Sequence, residues 1–247
     1  MVGRTDYCEW PEGSAHLPCV GGTKNVRVED VLALRPDLVV ANQEENTRPA
    51  LEKIAQAGVP VYISFPRRIE DGFAHLAKLM KLLDTTRELA VKLFFKDAYA
   101  LAAPDNQIIK GKAFVPIWKD PLMTFNKDTY AHGVLEFLGF QNAFAEDARE
   151  TKKKVDLGRR SPLGADQQAR QDKRYPKLKI EDLKNRDIDW VLLPNEPFVF
   201  GQEHIEEFRG LWGTSKDAPK VVLVDGKDLF WHGVHTLDAV NNLKKLF

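Results

Sequence analysis

The chain repeats one phrase in its two halves, and this repeat limits the possible folds more than any other feature. In the first half, Val28–Leu32 and Pro36–Ala41 predict a short amphipathic helix, a turn and a buried strand. Residues 181–194 repeat that order in the second half. The pairs at one constant offset are Asp37 with Asp189, Val39 with Val191, and Glu44 with Glu196. The repeat predicts two lobes of similar build.

A polar loop, a helix and a second apolar strand follow each repeated strand. The first half has the loop Gln43–Asn46 and the strand 59–63, and the second has the loop Asn195–Phe198 and the strand 220–224. Helices that alternate with short apolar strands predict an α/β fold, with a small and mainly parallel sheet in each lobe. Ligands of such sheets bind beyond the carboxyl ends of the strands, where both glutamate loops are expected.

Residues 67–103 predict an almost continuous helix with an interruption near Asp84 and Thr85. At 1.5 Å per residue the second part spans about 27 Å, which is the scale of a small lobe. We therefore predict an N-terminal lobe over 1–84, a connecting backbone helix over 85–104, and a C-terminal lobe over 105–247. An ordinary core helix is the alternative.

Composition excludes several classes of protein. Hydrophobic residues make up 43% of the 247 residues, which is enough for real cores, and Lys+Arg and Asp+Glu balance at 36 each. This balance gives no overall field that would recruit nucleic acid or an anionic membrane. The two cysteines cannot form a disulfide framework for a chain of this length. We find neither a transmembrane segment nor the pattern of a secretory signal at the start.

Residues 151–177 form a polar segment with nine basic and three acidic residues and no periodicity. We predict a solvated excursion from the C-terminal lobe. The alternative is a basic patch that contacts acidic lipid or nucleic acid.

Motifs of the common enzyme classes are absent, because the sequence has no phosphate-binding loop, dinucleotide fingerprint, nucleophile elbow or H-E-x-x-H. His232 and His235 form an H-x-x-H pair, whose spacing can place two imidazoles on one helix face. A metal site there needs further ligands, for which Cys8, Glu44, Glu196 and His132 are candidates. The alternative for these histidines is a place in a cleft wall or at a helix end.

Aromatic residues recur at predicted loop and strand ends. They are Tyr7, Trp10, Trp118, Phe198, Phe200, Phe230 and Trp231. Aromatic faces suit large planar or apolar ligands, whose binding is mainly burial of apolar area. Packing in a core is the alternative for each of them.

Several phrases together resemble one family of binding proteins. They are Val2–Pro11, Val20–Asn25, Leu34–Val39, Glu44–Asn46, Leu193–Pro197, and Asp225–Gly226 followed by Trp231–Gly233. The chain resembles the helical-backbone metal receptors, which are periplasmic binding proteins with lobes joined by one long helix. Cobalamin-binding and ferric-siderophore-binding proteins belong to this family. The resemblance covers nearly the whole chain outside residues 151–177.

The resemblance implies a ligand cleft between the lobes and no catalytic residues. Its expected lining is Tyr7, Cys8, Trp10, Glu44, Glu45, Asn46, Trp118, Glu196, Phe198, Trp231 and His232. It implies no intrinsic cofactor, and a metal chelate such as cobalamin, haem or a ferric siderophore as the ligand. The expected function is that of the substrate-binding component of an ABC importer.

The resemblance also implies docking on an ABC permease through one surface acid on each lobe. Glu203, Glu206 and Glu207 are candidates on the second lobe, whereas the matching first-lobe position holds Arg48. We expect a monomer without a nucleic-acid partner. Relatives have a strand and a helix ahead of the Val2–Thr5 phrase, so we expect the first lobe to lack its usual first strand. The expected location is periplasmic or lipid-anchored if a leader precedes this sequence, and cytoplasmic if the start is natural.

Two other functions stay open at this point. A receptor for bare Zn²⁺ or Mn²⁺ would bind the ion through Cys8, His232, His235 and a carboxylate. A cytoplasmic enzyme that acts on a corrinoid or tetrapyrrole would use a similar two-lobed α/β fold.

Overall fold

The computed structural model describes residues 1–101, 109–147, 173–213 and 215–247. In these ranges the chain forms two compact units, the first from Met1 to Phe65 and the second beginning at Pro66. Strands pair in parallel in both units, with helices between them. The predicted α/β class with a parallel sheet in each half is therefore confirmed.

The first unit is small and contains one pair of parallel strands. Its elements are a 3-10 helix at Glu12–His16, α1 at Val28–Ala33, β1 at Val39–Asn42, α2 at Arg48–Gln56 and β2 at Val61–Ser64. The register places Val39 opposite Val61 and Asn42 opposite Ser64. A proline, Pro49, lies in the first turn of α2, where its missing N–H costs no hydrogen bond. The buried core is formed by Val20, Val31 and Ile54.

The second unit contains a larger sheet that is covered on both faces. Its helices are α3 at Ile69–Leu82, α4 at Leu89–Leu101, α5 at Tyr130–Phe137, α6 at Ile180–Lys184, α7 at Gln202–Gly210, α8 at Gly226–Phe230 and α9 at Thr236–Lys244. Its strands are β3 at Gly111–Phe114, β4 at Phe140–Asn142, β5 at Trp190–Pro194 and β6 at Lys220–Val224. All four pair in parallel, in the order β4-β3-β5-β6.

The central strand β5 explains why this sheet is buried. Leu192 packs into a cluster with residues of α3, α5 and α9, whereas Val191 and Leu193 pack into a second cluster that includes Phe208 of α7. Successive side chains of a strand point to opposite faces, so an unbroken apolar run fits a strand that is covered on both sides. The buried strand fixes the loop that follows Pro194.

The predicted long helix is present as α3 and α4, with the interruption over 83–88. The Asp71 carboxylate accepts the backbone N–H groups of Arg67 and Arg68, each at 3.1 Å, and so fixes the start of α3. Both helices lie in the second unit, whereas the sequence predicts α3 within the N-terminal lobe. The role of α4 as a connector between lobes stays a prediction, and residues 102–108 lie outside the described ranges.

Two sequence predictions concern the basic segment and the absence of a transmembrane helix. Most of the basic segment 151–177 lies outside the described residues, which resume at residue 173, so the prediction of a solvated excursion is not addressed. In the ranges that the structure describes, no helix is both long and apolar enough to span a bilayer.

Candidate ligand-binding site

In the second unit, the aromatic and acidic residues predicted to bind ligand lie on loops at one edge of the sheet. Trp118 follows β3, Glu196 and Phe198 follow β5, and Trp231 and His232 follow β6 and the short helix α8. Because β3, β5 and β6 are parallel, these loops all leave the sheet at its carboxyl edge. The loop of Glu196 therefore lies at the edge where the sequence predicts it, and ligand binding there stays a prediction.

Trp118 and Phe198 form an aromatic contact between the loops after β3 and β5. Their ring centroids are 5.8 Å apart with an interplanar angle of 71°, which is an edge-to-face pair. The Trp118 indole N–H donates to the carbonyl of Asp120 at 3.2 Å, and 43% of the residue is exposed. Phe198 also contacts the buried Phe200 at 4.7 Å. The pair therefore presents an anchored aromatic surface to solvent.

The loop after β5 is fixed against the start of α8. The Asn195 side-chain oxygen accepts the backbone N–H of Gly226 at 2.7 Å. A side chain at position 226 would lie only 2.8 Å from the carbonyl oxygen of Glu196 and 3.0 Å from its nitrogen. Glycine is therefore required at Gly226 by the close approach of the Glu196 backbone. The half-buried Glu196 is held next to the residues that lead to Trp231.

Trp231 ends α8 and is partly exposed. The Lys227 ammonium lies 5.0 Å from its ring centroid, which is within the range of a cation–π contact. The Asp225 carboxylate accepts the Lys227 N–H at 3.0 Å and so caps the helix. This end of the site thus combines an aromatic face with an ammonium group.

His232 turns toward the body of the unit instead. Its ring centroid is 5.7 Å from that of Tyr130 on α5 and 6.1 Å from that of His75 on α3. The Tyr130 hydroxyl is in turn hydrogen-bonded to the Thr236 hydroxyl at 2.9 Å. His232 therefore joins the loop after α8 to helices α3 and α5.

Burial governs the electrostatics of this contact. It lowers the pKa of His232 to about 4, with a smaller contribution from His75, and it also lowers the pKa of His75. Burial raises the pKa of Tyr130 to about 12. The three rings are therefore uncharged at neutral pH, and His232 contributes packing rather than charge.

The H-x-x-H pair does not form a metal site with these neighbours. His235 Nε2 lies 2.9 Å from the buried Asp228 carboxylate, whose pKa is raised by burial. His132 lies in the first turn of α5, 3.4 Å from Glu136. Among the residues that the structure describes, no three His, Cys, Asp or Glu side chains are grouped to hold a metal ion.

In the first unit, the loop after β1 is built around two asparagines. The Asn42 side-chain oxygen accepts the Glu44 N–H at 2.7 Å, and the Asn46 side-chain oxygen accepts the Asn42 N–H at 2.8 Å. The Asn46 side-chain N–H donates to the carbonyl of Thr23 at 3.1 Å. The Thr23 hydroxyl donates to Glu45 at 3.3 Å. The predicted Glu44–Asn46 loop is thus tied to the Gly22–Lys24 turn.

The loop of Tyr7, Cys8 and Trp10 exposes two aromatic rings. Tyr7 is 68% exposed and Trp10 is 64% exposed. A side chain at Gly22 would lie 3.4 Å from the Tyr7 ring, so this ring lies beside the same turn that holds Asn46. Cys8 and Cys19 are both free thiols, and the Cys19 thiol donates to Asp6 at 2.6 Å.

The three acids predicted to dock on a permease all lie on α7 but differ in their contacts. Glu206 pairs with Arg209 at 2.8 Å, and Glu207 pairs with Lys119 at 2.6 Å. Glu203 lies 3.3 Å from His204 Nδ1, but that nitrogen already accepts the Gly201 N–H, so Glu203 gains no hydrogen bond there. In the first unit, Arg48 pairs with Glu52 at 2.6 Å.

Sequence reasoning missed three residues that shape the site. Lys24 donates to the carbonyl of Glu44, Lys119 pairs with Glu207, and Lys227 lies over Trp231. A detectable signal exists for Lys227, because it follows Asp225 and Gly226 directly at the end of a predicted strand. Lys119 and Glu207 are 88 positions apart, so no local pattern joins them.

Parallel α/β units with aromatic and acidic loops are the architecture expected of a small-molecule binding protein. The family model described as "Periplasmic binding protein" matches residues 1–210, and the chain belongs to this family. This confirms the resemblance found in the sequence, and with it the prediction of a binding protein rather than an enzyme.

Two curated relatives are vitamin B12-binding proteins. That of Vibrio parahaemolyticus is 28% identical over 150 residues, covering 60% of this chain and 54% of the relative. That of Yersinia pestis is 27% identical over 154 residues, covering 59% of this chain and 53% of the relative. The chain thus spans about half the length of the curated relatives that it matches.

Solved structures share the fold over nearly the whole chain. The vitamin B12-binding protein of Vibrio cholerae has a TM-score of 0.69 at 18% identity, covering 99% of this chain and 86% of that one. A periplasmic haem-binding protein of Pseudomonas aeruginosa has a TM-score of 0.66 at 20% identity, covering 100% and 84%. At such identities the likeness establishes the fold.

Proposed function

We propose that this protein is the substrate-binding component of an ABC importer and that it captures a metal chelate without transforming it. The observation that carries the proposal is the placement of Trp118, Phe198, Glu196 and Trp231 on loops at the carboxyl edge of one buried parallel sheet. Trp118 contacts Phe198 there, and the Glu196 backbone packs against Gly226. The family and its vitamin B12-binding and haem-binding relatives support a corrinoid, haem or ferric siderophore as the ligand class.

The chemistry of such a ligand fits the residues present. A chelate brings the first coordination shell of its own metal, so the protein needs apolar faces and a few polar groups rather than metal ligands. Trp118, Phe198 and Trp231 supply the faces in the second unit, and Tyr7 and Trp10 supply exposed rings in the first. Burial of these rings against the ligand provides the main part of the binding free energy.

Polar groups orient the ligand and select among chelates. Glu44 and Glu196 are held in place by the two loops, and the Lys227 ammonium lies beside Trp231. We assign His232 a supporting role, because it packs against Tyr130 and His75 and keeps the Trp231 loop in position. The predicted cleft between the two lobes stays a prediction.

Fluorescence titration tests ligand capture directly. We expect cyanocobalamin, haemin or a ferric hydroxamate to quench tryptophan emission in a saturable manner, with equilibrium dialysis confirming the stoichiometry. Trp118→Ala should weaken binding by about tenfold, since an aromatic contact of this kind contributes roughly 0.5–1.5 kcal/mol beyond the buried area.

Trp190→Phe is the matched control, because Trp190 packs against Phe140 and Phe247 within the unit rather than on a loop of the site. Its affinity should equal that of the wild type. Absence of saturable binding with all three chelates contradicts the proposal. Dialysis with Zn²⁺ and Mn²⁺ alone, repeated on His232→Ala, detects the rival function of a bare-metal receptor.

Docking on a permease through α7 completes the proposed transport cycle. Glu203 is the acid of choice, because Glu206 and Glu207 already pair with Arg209 and Lys119. The site of action would then be extracytoplasmic, as in the periplasmic binding protein family.

A further inference from the structure

The end of α3 and the outer side of α4 expose an unusual number of large apolar side chains. Leu82, Leu83, Leu89, Leu93 and Tyr99 are between 51% and 75% exposed. We call this set the α3–α4 apolar surface. Single exposed apolar residues are common on soluble proteins, whereas five within 18 positions indicate a surface that contacts something.

Helix α4 has large apolar residues on both sides, which sets it apart from an ordinary surface helix. Its inner side places the buried Ala98, together with Phe94 and Leu101, against the core of the second unit. Its outer side carries Leu89 and Leu93 beside the exposed Lys92, Lys96 and Asp97. An ordinary amphipathic helix keeps mainly polar residues on its outer side, so the two exposed leucines indicate a partner that is apolar in part.

A shallow groove of about 390 Å³ lies between residues of α3 and α4 and shares Tyr99 with this surface. Its lining combines apolar side chains with a threonine and two lysines, and consists of Ala77, Thr86, Val91, Lys92, Phe95, Lys96 and Tyr99. Phe95 and Tyr99 lie 6.5 Å apart as a tilted aromatic pair. The groove can accept an alkyl chain next to two ammonium groups.

Charge indicates which kind of partner fits. Residues 78–99 contain five basic and three acidic side chains, although the whole chain is neutral. Lys92 and Lys96 are exposed, and neither takes part in an ion pair among the described residues. Leucines interleaved with unpaired lysines match an anionic interface with an apolar interior.

We propose that the α3–α4 apolar surface docks on the headgroup region of an anionic lipid bilayer. The leucines insert among the acyl chains, Tyr99 lies at the headgroup level, and Lys92 and Lys96 extend their ammonium groups to lipid phosphates. A second copy of the chain fits less well, because two-fold pairing of this surface brings the same lysines together. The inference is independent of the proposed ligand.

Vesicle sedimentation of the full chain tests the proposal. We expect binding to phosphatidylcholine vesicles that contain 30% phosphatidylglycerol, little binding to phosphatidylcholine alone, and a marked loss at 0.5 M NaCl. The double variant Lys92→Glu/Lys96→Glu should lower the partition coefficient by about thirtyfold, because each lysine near an anionic surface contributes roughly a fivefold effect. Leu89→Glu/Leu93→Glu should abolish binding without a change in the circular dichroism spectrum.

Matched controls separate a docking surface from general electrostatics. Lys184→Glu/Lys216→Glu makes the same change in charge at exposed lysines elsewhere, and Ile180→Glu makes the apolar-to-acid change on α6. Both should bind vesicles like the wild type. Equal losses in the controls, or no binding by the wild type, overturn the proposal. The proposal is also overturned if the protein is a dimer that does not bind vesicles and Leu89→Glu/Leu93→Glu is a monomer. In that case a second copy of the chain covers the surface.

Discussion

Gly226 and Glu196 pack so closely that the position of one loop determines the position of the next. The Cβ of any other residue at 226 would lie 2.8 Å from the Glu196 carbonyl oxygen, and the Gly226 N–H is bound by the neighbouring Asn195 side chain. The loop after β5 and the helix that leads to Trp231 are therefore packed directly against each other.

Gly226→Ala should destabilise the protein by about 1–3 kcal/mol, because the added methyl group meets backbone atoms that cannot turn aside. It should also weaken chelate binding, since the Glu196 loop and Trp231 lose their mutual position. Urea unfolding and a fluorescence titration measure the two effects. Gly210→Ala is the control, because a methyl group there meets no atom within 4 Å. Equal stability of both variants contradicts the prediction.

Asn46→Asp should weaken the tie between the Glu44–Asn46 loop and the Gly22–Lys24 turn. The carboxylate still accepts the Asn42 N–H, but it cannot donate to the Thr23 carbonyl and places a negative charge against it. We expect a loss of about 1–2 kcal/mol in the free energy of unfolding and weaker ligand binding.

The exposed neighbour Gln43 provides the matched control, because Gln43→Glu makes the same amide-to-carboxylate change. Thermal unfolding and chelate affinity should distinguish the two variants. An unchanged Asn46→Asp protein shows that the side-chain bond to Thr23 does not hold the loop.

His232 should make the protein less stable at acidic pH. Its folded-state pKa of about 4 lies below the ordinary value of 6.5, so the unfolded chain binds its proton first as the pH falls. The part of the folding stability that depends on neutral His232 is fully present above pH 6.5 and is lost progressively toward pH 4. The contribution is about 2 kcal/mol, after allowance for the partial exposure of the ring.

Urea unfolding at pH 7.0, 5.5 and 4.5 measures this dependence. His232→Gln should flatten it, whereas His16→Gln, at an exposed position on the 3-10 helix, should leave it as in the wild type. If the free energy of unfolding of His232→Gln falls with pH as steeply as that of the wild type, other groups cause the pH dependence.

Glu203→Gln should reduce ligand uptake in proteoliposomes that contain the cognate ABC permease, and should leave the chelate affinity unchanged. The carboxylate is the docking group in the proposed cycle, and its side chain is 75% exposed. Glu206→Gln is a close control, because Glu206 is equally exposed on the same helix but pairs with Arg209. If both variants reduce uptake to the same extent, the docking role does not belong to Glu203.

The sequence was sufficient to predict the strands and helices that have strong local signals. The apolar strand 220–224 is β6 within its predicted bounds, and the helix expected over roughly 203–211 is α7 at Gln202–Gly210. The repeat correctly predicted a strand at β1 and an equivalent strand at β5 in the other half of the chain. It could do so because hydrophobic periodicity and turn residues are encoded within a few positions.

Contacts between distant segments could not be predicted in this way. Trp118 meets Phe198 across 80 positions, and His232 meets Tyr130 and His75 across more than 100. The resemblance implies that His232 lines the ligand cleft, and the structure packs its ring against two rings of its own unit. Whether the side chain of a loop residue points into the core or to solvent depends on how helices such as α3 and α5 pack. The local sequence does not encode that packing.

The alternation of side chains along β5 has a practical consequence for redesign. The interior clusters on the two faces of the sheet contain Val191, Leu192 and Leu193. The loop residues that follow Pro194 lie beyond this buried part of the strand. Ligand preference can therefore be altered by exchanging short stretches beyond the strand, with the melting temperature as an independent gauge that the scaffold has stayed intact.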